Sequence, residues 1–305
     1  MNKCINSGVW PTMITPFTND DKIDYKALDA LIDWYMEGKV DGLFAVCQSS
    51  EMFYLTQEER ISLAKFVVEK VNGRVPVVAS GNFSKDIYKQ AKEIKMMADT
   101  GVDAVVILTN GLADKDDAHD VWLKNVQIIL DNIPKDVQLG LYECPVPYKR
   151  LLTLDELKWC ADSKRFLFLK DTCCNEDMLK DRLRVLKNSS LKLFNANAAT
   201  LLYTLNLGGA GFSGVLANFF PKTLKKLVDT QQMDIVKASE IQDFIGSIAA
   251  IESRCYPLCA KQFLQLEGLD ICTHTRSVDM SKYLPAFYNE VEQLHAFGKR
   301  YEKSL

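Results

Sequence analysis

Phe166-Leu167-Phe168-Leu169-Lys170 decides how this 305-residue chain is read. Four consecutive apolar residues describe a strand buried on both faces, as in a parallel sheet covered by helices. A lysine that closes such a strand loses hydration when it is charged. Its pKa falls, and more free amine is left to attack a carbonyl. Alone, the same lysine is more simply read as the place where a strand emerges into water, and the rest of the chain reverses that reading.

Working outward, further apolar runs lie at 9–14, 41–47, 76–81, 104–108, 137–142, 192–195 and 210–214. Helical patterns separate them. Asp24 is placed to cap a helix that buries Leu28, Leu31, Ile32 and Tyr35, spaced as one helical face. Thr56 with Glu59, and Thr153 with Glu156, form capping boxes. Ser84 precedes a helix whose apolar positions are Ile87, Ala91, Ile94 and Ala98. Eight strand-helix units predict an α/β fold, a (β/α)8 TIM barrel. A doubly wound open sheet is the competitor. It often carries a Gly-rich phosphate turn after its first strand, whereas this chain has Thr15-Pro16-Phe17 there. Past residue 230 only helical patterns remain, near 235–253, 258–266 and 281–302. The expected organisation is a barrel catalytic domain at 1–230 with a C-terminal helical region at 231–305.

Apolar residues make up 48% and charged residues 25%, a composition that fits a soluble globular protein. A net charge of −3 offers no basic surface for nucleic acid or an anionic membrane. No stretch reaches the ~18 apolar residues of a membrane span, and residues 1–8 lack the apolar core of a signal peptide. The nine cysteines are odd in number and lie in apolar contexts, so they read as reduced thiols in a cytoplasmic protein. Adjacent Cys173 and Cys174 lack metal-ligand spacing, and with Cys144 they read as small core or site-lining residues.

In a barrel of this kind the chemistry sits at the C-terminal ends of the strands. Those ends carry Thr15, Gln48-Ser49-Ser50-Glu51, Ser80-Gly81-Asn82, Thr109-Asn110, Tyr142-Glu143, Lys170-Asp171-Thr172, Asn195-Ala196-Asn197 and Ser213-Gly214. The set holds one lysine nucleophile and one tyrosine acid/base, and no histidine. His119, His274 and His295 fall on helices or in the C-terminal region and read as surface residues. This argues against a hydrolytic triad or a histidine zinc site, and neither metal nor cofactor is expected. Lys170 would condense with a ketone, and the iminium would accept the electrons of a breaking C–C bond. Tyr142 would carry protons.

These residues together resemble the dihydrodipicolinate synthase / N-acetylneuraminate lyase family of pyruvate-dependent class I aldolases, over nearly the whole chain. Thr15-Pro16-Phe17, Cys47-Gln48-Ser49-Ser50-Glu51, Tyr142-Glu143-Cys144-Pro145, Lys170-Asp171-Thr172 and Gly209-Ala210-Gly211-Phe212-Ser213-Gly214 followed by Asn218 stand in the family's order. The resemblance implies that Lys170 forms the imine, Tyr142 is the acid/base, and Ser49 relays protons and binds the pyruvate carboxylate. Ser50 would contact that carboxylate through its N–H, and Ser213 would face pyruvate through its backbone. Glu51 would be buried beneath the site. A homotetramer, as a dimer of dimers, is also implied.

The departures shape the expected substrate. Gln48 stands where the family has a hydroxyl residue. Leu112 replaces a tyrosine that completes the relay from a neighbouring subunit in the synthase branch. Pro147 replaces the arginine that grips the second substrate's carboxylate, and Lys149 and Arg150 are out of register. A guanidinium fork on a carboxylate is not replaced by a proline. These changes argue against synthesis of dihydrodipicolinate and against sialic acid cleavage. The expectation is a Schiff-base lyase or aldolase joining or splitting pyruvate, or a related 2-keto acid, and a polar aldehyde. Gln48, Asn82, Asn110 and Asn197 suit such a partner. A dehydratase or hydratase on a 2-keto-3-deoxy acid is the second reading, and a non-catalytic binding or regulatory protein on the same scaffold is the third.

Overall fold

The computed structural model describes residues 5–305. Eight parallel strands follow the order β1-β8-β7-β6-β5-β4-β3-β2. They are β1 (Gly8–Val9), β2 (Leu43–Val46), β3 (Val77–Ser80), β4 (Ala104–Leu108), β5 (Leu139–Tyr142), β6 (Phe166–Asp171), β7 (Lys192–Asn195) and β8 (Gly211–Phe212). Beyond β1 the chain closes the barrel against β2. Thr12 bridges Phe44, the Phe44 N–H donates to the Pro11 carbonyl, and the Met13 N–H donates to the Phe44 carbonyl. The first strand is shorter than its apolar run because Pro11 has no N–H to continue a ladder. The seam between β1 and β8 needs glycine. A Cβ on Gly211, at φ +150°, would lie 1.9 Å from the Gly8 carbonyl oxygen.

Eight helices follow the strands: α1 (Tyr25–Glu37), α2 (Gln57–Val71), α3 (Ile87–Ala98), α4 (His119–Asn132), α5 (Leu154–Asp162), α6 (Glu176–Leu186), α7 (Leu201–Asn206) and α8 (Pro221–Thr230). Asp24 caps α1, and both expected capping boxes form. The cap of α3 differs. Asp86, not Ser84, accepts from the Lys89 N–H, because the Ser84 hydroxyl is held by Glu93 at 2.5 Å. Past the barrel lie α9 (Ile235–Ile248), a 3-10 turn (Ala249–Ser253), α10 (Leu258–Leu266) and α11 (Pro285–Glu302).

Period-two alternation sorts β5 and β6 into two faces. Phe168 packs on Trp10 at 5.3 Å, on Phe44 at 5.7 Å and on Phe194 at 4.7 Å between ring centroids, so its face fills the barrel interior. Tyr142 shares that interior and meets Phe44 across the barrel at 5.8 Å. Lys170 follows Phe168 by two residues and therefore points inward at the strand's end. Aromatic packing closes the barrel beneath it.

Candidate active site

Tyr142 of β5 and Lys170 of β6 are direct register partners. The Lys170 amine lies 4.4 Å from the centre of the Tyr142 ring. Lys170 is only 4% exposed and joins no ion pair among the described residues. Burial pushes its pKa down, against the pull of neighbouring Cys47, Cys144 and Glu252. The free amine is therefore favoured more than in an ordinary lysine. The Tyr142 hydroxyl donates to Gln48 Oε1 at 3.2 Å. Burial first, and the thiols of Cys144 and Cys47 after it, hold this phenol well above its usual range. Tyr142 thus stands ready as a proton donor.

Both groups open into a cavity of about 470 Å³ that also touches Gln48, Ser49, Glu51, Thr172, Glu252, Tyr256, Ser277 and Val278. Ser49, in the 3-10 turn after β2, donates to Thr12 Oγ1 at 3.0 Å. Tyr256 comes from the C-terminal region, and its hydroxyl interacts with Ser49 and accepts from Asn218 Nδ2 at 2.9 Å. Asn218 Oδ1 in turn accepts from the Tyr35 hydroxyl. The serine therefore belongs to a buried polar network that the strand-end residues alone did not suggest.

Five other residues expected at the site lie outside this cavity's lining. The Ser50 N–H and hydroxyl both donate to the Cys47 carbonyl, closing their own turn. Both groups expected to meet a carboxylate are thus engaged within the turn. Asn110 Nδ2 donates to the carbonyls of Cys144, Val146 and Tyr148, so it braces the loop after β5 and faces a second cavity. Asn197 caps the turn that follows β7 through Ala199 and Thr200. Asn82 is spent on Leu108 and Gln90. Ser213 is fully buried beside the cavity, its N–H donating to the Asn195 carbonyl and its hydroxyl unpartnered.

Glu51 is buried, as expected. Its Oε2 accepts from the backbone N–H groups of Arg276 and Ser277 at 2.7 and 2.6 Å, and buried Lys261 lies 3.6 Å from its Oε1. Glu51 thus ties the C-terminal segment to the rim, which is how Ser277 and Val278 come to line the site. The histidines are half-buried and each faces a carboxylate: His119 with Glu156, His274 with Asp21 and His295 with Glu267. They are not simple surface residues, although none lines the cavity.

On the outer face of the same two strands, Glu143 follows Tyr142 and Asp171 follows Lys170. Buried Arg182 of α6 grips both, at 2.9 Å from Glu143 Oε2 and in direct contact with Asp171 Oδ2. Glu143 also accepts from the N–H groups of Leu152 and Thr172. Burial pushes Glu143 up while Arg182 pulls it down. The cluster clamps the strand ends that carry the reacting pair. Removing one member leaves the others buried and uncompensated. Arg182→Met should destabilise the protein by about 3–5 kcal/mol in urea unfolding, and adding Glu143→Gln should recover part of that loss. An unchanged midpoint would show that the cluster does not hold the strand ends.

A closed (β/α)8 barrel with a buried lysine at a strand end is the arrangement of the class I lysine Schiff-base lyases. The particular family follows from comparison. Residues 6–283 match the model of the dihydrodipicolinate synthetase family, and the chain belongs to that family. The 4-hydroxy-tetrahydrodipicolinate synthase of Clostridium novyi (strain NT) is 28% identical over 275 residues, covering 87% of each chain. Among solved structures, YagE of E. coli K12, a prophage protein of this family crystallised with pyruvate, superposes with a TM-score of 0.84 at 23% identity over 94% of this chain and 98% of its own. CdNal from Clostridium difficile, crystallised with mannosamine, gives 0.82 at 18% identity over 95% and 98%. No described helix is long and apolar enough to cross a membrane.

Proposed function

We propose that the chain is a pyruvate-dependent lyase or aldolase in which Lys170 forms the imine and Tyr142 moves the protons. The amine attacks the ketone of a 2-keto acid, and water leaves as the iminium forms. Cleavage of the neighbouring C–C bond sends its electron pair into the iminium and leaves an enamine. The proton of the substrate hydroxyl passes to Tyr142, and an aldehyde departs. Protonation of the enamine and hydrolysis then free pyruvate and the lysine. The observation that carries this reading is the register pairing of Tyr142 with an unpaired, buried Lys170 inside one cavity. Ser49 supplies a hydroxyl for the pyruvate carboxylate.

Borohydride added with pyruvate tests it. One reduced pyruvyl adduct per chain, mapped to Lys170, is the expected result. An unmodified Lys170 with lyase activity intact would overturn the mechanism. Product analysis on 2-keto-3-deoxy acids separates C–C cleavage from dehydration, since only the first releases pyruvate.

The same reading takes the assembly as a homotetramer, the family's common form. Leu112 is buried within its own subunit, and Tyr256, Ser277 and Val278 reach the cavity from the same chain. On this reading a neighbouring subunit supplies no side chain in place of Leu112, and each site is more self-contained than in the synthase branch. Light scattering at micromolar concentration should give a tetramer, and a monomer alone would refute this assembly.

A further inference from the structure

Lys170 is the only cation among the described residues lining the main cavity, and two carboxylates share that lining, Glu51 and Glu252. Glu51 is committed to Arg276, Ser277 and Lys261. Glu252 sits in the 3-10 turn after α9 and has no hydrogen bond or ion pair among the described residues. Its neighbour Arg254 does not neutralise it, because that guanidinium turns away to Glu290 and the Phe287 ring. Lys149 and Arg150 are spent as well, on the Thr172 carbonyl and on Glu156. The cavity thus holds the imine-forming lysine and, within reach of its charge, one carboxylate that no hydrogen bond or ion pair commits.

We propose that Glu252 selects the second half of the substrate, accepting hydrogen bonds from the hydroxyls of a neutral polyhydroxy aldehyde and turning away aldehydes that carry a carboxylate or phosphate. This rests on the lyase reading above and names its substrate class. Burial pushes the Glu252 carboxyl up to about 7, with Lys170 drawing it back. Ionised, it repels an incoming anion at short range. No lining arginine or free lysine offsets that repulsion.

The test is condensation of pyruvate at pH 8 with D-glyceraldehyde, neutral and hydroxyl-bearing, against succinic semialdehyde, which carries a carboxylate. The native enzyme should favour glyceraldehyde by about 30-fold or more in kcat/KM, the worth of one charged hydrogen-bonded contact. Glu252→Gln keeps the shape and removes the charge. It should cut that preference about tenfold, mostly by raising KM for glyceraldehyde and easing entry of the semialdehyde. Glu252→Lys should reverse it. Borohydride trapping of pyruvate on each variant reports that the site is folded and the lysine competent. A preference unchanged within about twofold in a Glu252→Gln enzyme that still traps pyruvate would overturn the role of Glu252. Absence of a Lys170 adduct in the native enzyme would instead overturn the lyase reading, and this proposal with it.

Discussion

Lys170→Met should abolish turnover and leave the protein at least as stable as before. The thioether replaces a buried stem of similar length, so the contact with the Tyr142 ring is kept while the nucleophile goes. Losing the attacking atom of a covalent mechanism costs about 10⁴-fold or more in kcat, because no other described amine lines the cavity. The stability effect has a sign that can be worked out. The folded state holds the Lys170 pKa below its ordinary 10.5. Between that lowered value and 10.5 the unfolded chain holds a proton on Lys170 that the folded one has lost, so the Lys170 contribution to stability rises with pH across this window. Below the window the lysine is charged in both states, and its burial weighs fully against folding. Lys170→Met removes that penalty. It should unfold at a higher urea concentration than the parent at pH 7, and the difference should shrink as pH climbs toward 10.5. Residual turnover within about tenfold of the parent would remove Lys170 from the chemistry. A parent-minus-variant difference that stays constant from pH 8 to 10.5 would show that the amine is not desolvated.

Tyr142→Phe is the second large effect. The ring contact with Phe44 survives, and only the oxygen that donates to Gln48 is lost. Before the imine forms, burial keeps the phenol protonated. Once a cationic iminium forms a few Å away, its charge favours the phenolate, and the same group becomes a base for the substrate hydroxyl. A proton taken by Tyr142 has no onward route through Gln48, since an amide oxygen accepts a hydrogen bond but does not relay the proton. Tyr142 must therefore exchange with substrate or water directly, and its loss is not shared with a neighbour. General acid–base catalysis contributes about 10²–10⁴-fold, so single-turnover cleavage should slow by that factor. Imine formation should slow too, because dehydration of the carbinolamine uses the same proton. Ser49→Ala should cost less, since water can stand in for a hydroxyl bound to Thr12 and Tyr256. A Tyr142→Phe rate within about threefold of the parent would remove the phenol from the mechanism.

Local pattern carried much of this. The continuous run at Phe166–Asp171 and its counterparts mark parallel strands because burial on both faces demands apolar side chains at every position. Asp24, Thr56 and Thr153 mark helix starts because orphan N–H groups need an acceptor one turn away. Strand ends at Tyr142 and Lys170 follow from the same runs, and the closed barrel makes those ends one rim. Each signal spans a few residues, so it was legible in the chain itself.

Only the tertiary structure decided which polar groups at that rim are free. Asn110, Asn197 and Ser50 look identical on paper to site residues. The Asn110 amide nitrogen, the Asn197 amide oxygen and the Ser50 hydroxyl are taken by nearby backbone, an outcome fixed by loop geometry that no periodicity encodes. The Glu143–Arg182–Asp171 clamp joins positions on two strands and a helix, and becomes visible only when β5, β6 and α6 pack together. Glu252 and Tyr256 lie beyond the eighth strand, so the inventory of strand ends passed over them. Glu51 brings the C-terminal segment to the rim by capturing two backbone N–H groups more than 200 residues away. Helix and strand periods fix what each segment buries from water. Which segment covers the mouth of the barrel depends on a long-range hydrogen-bonded contact, and that is settled only when the whole chain folds.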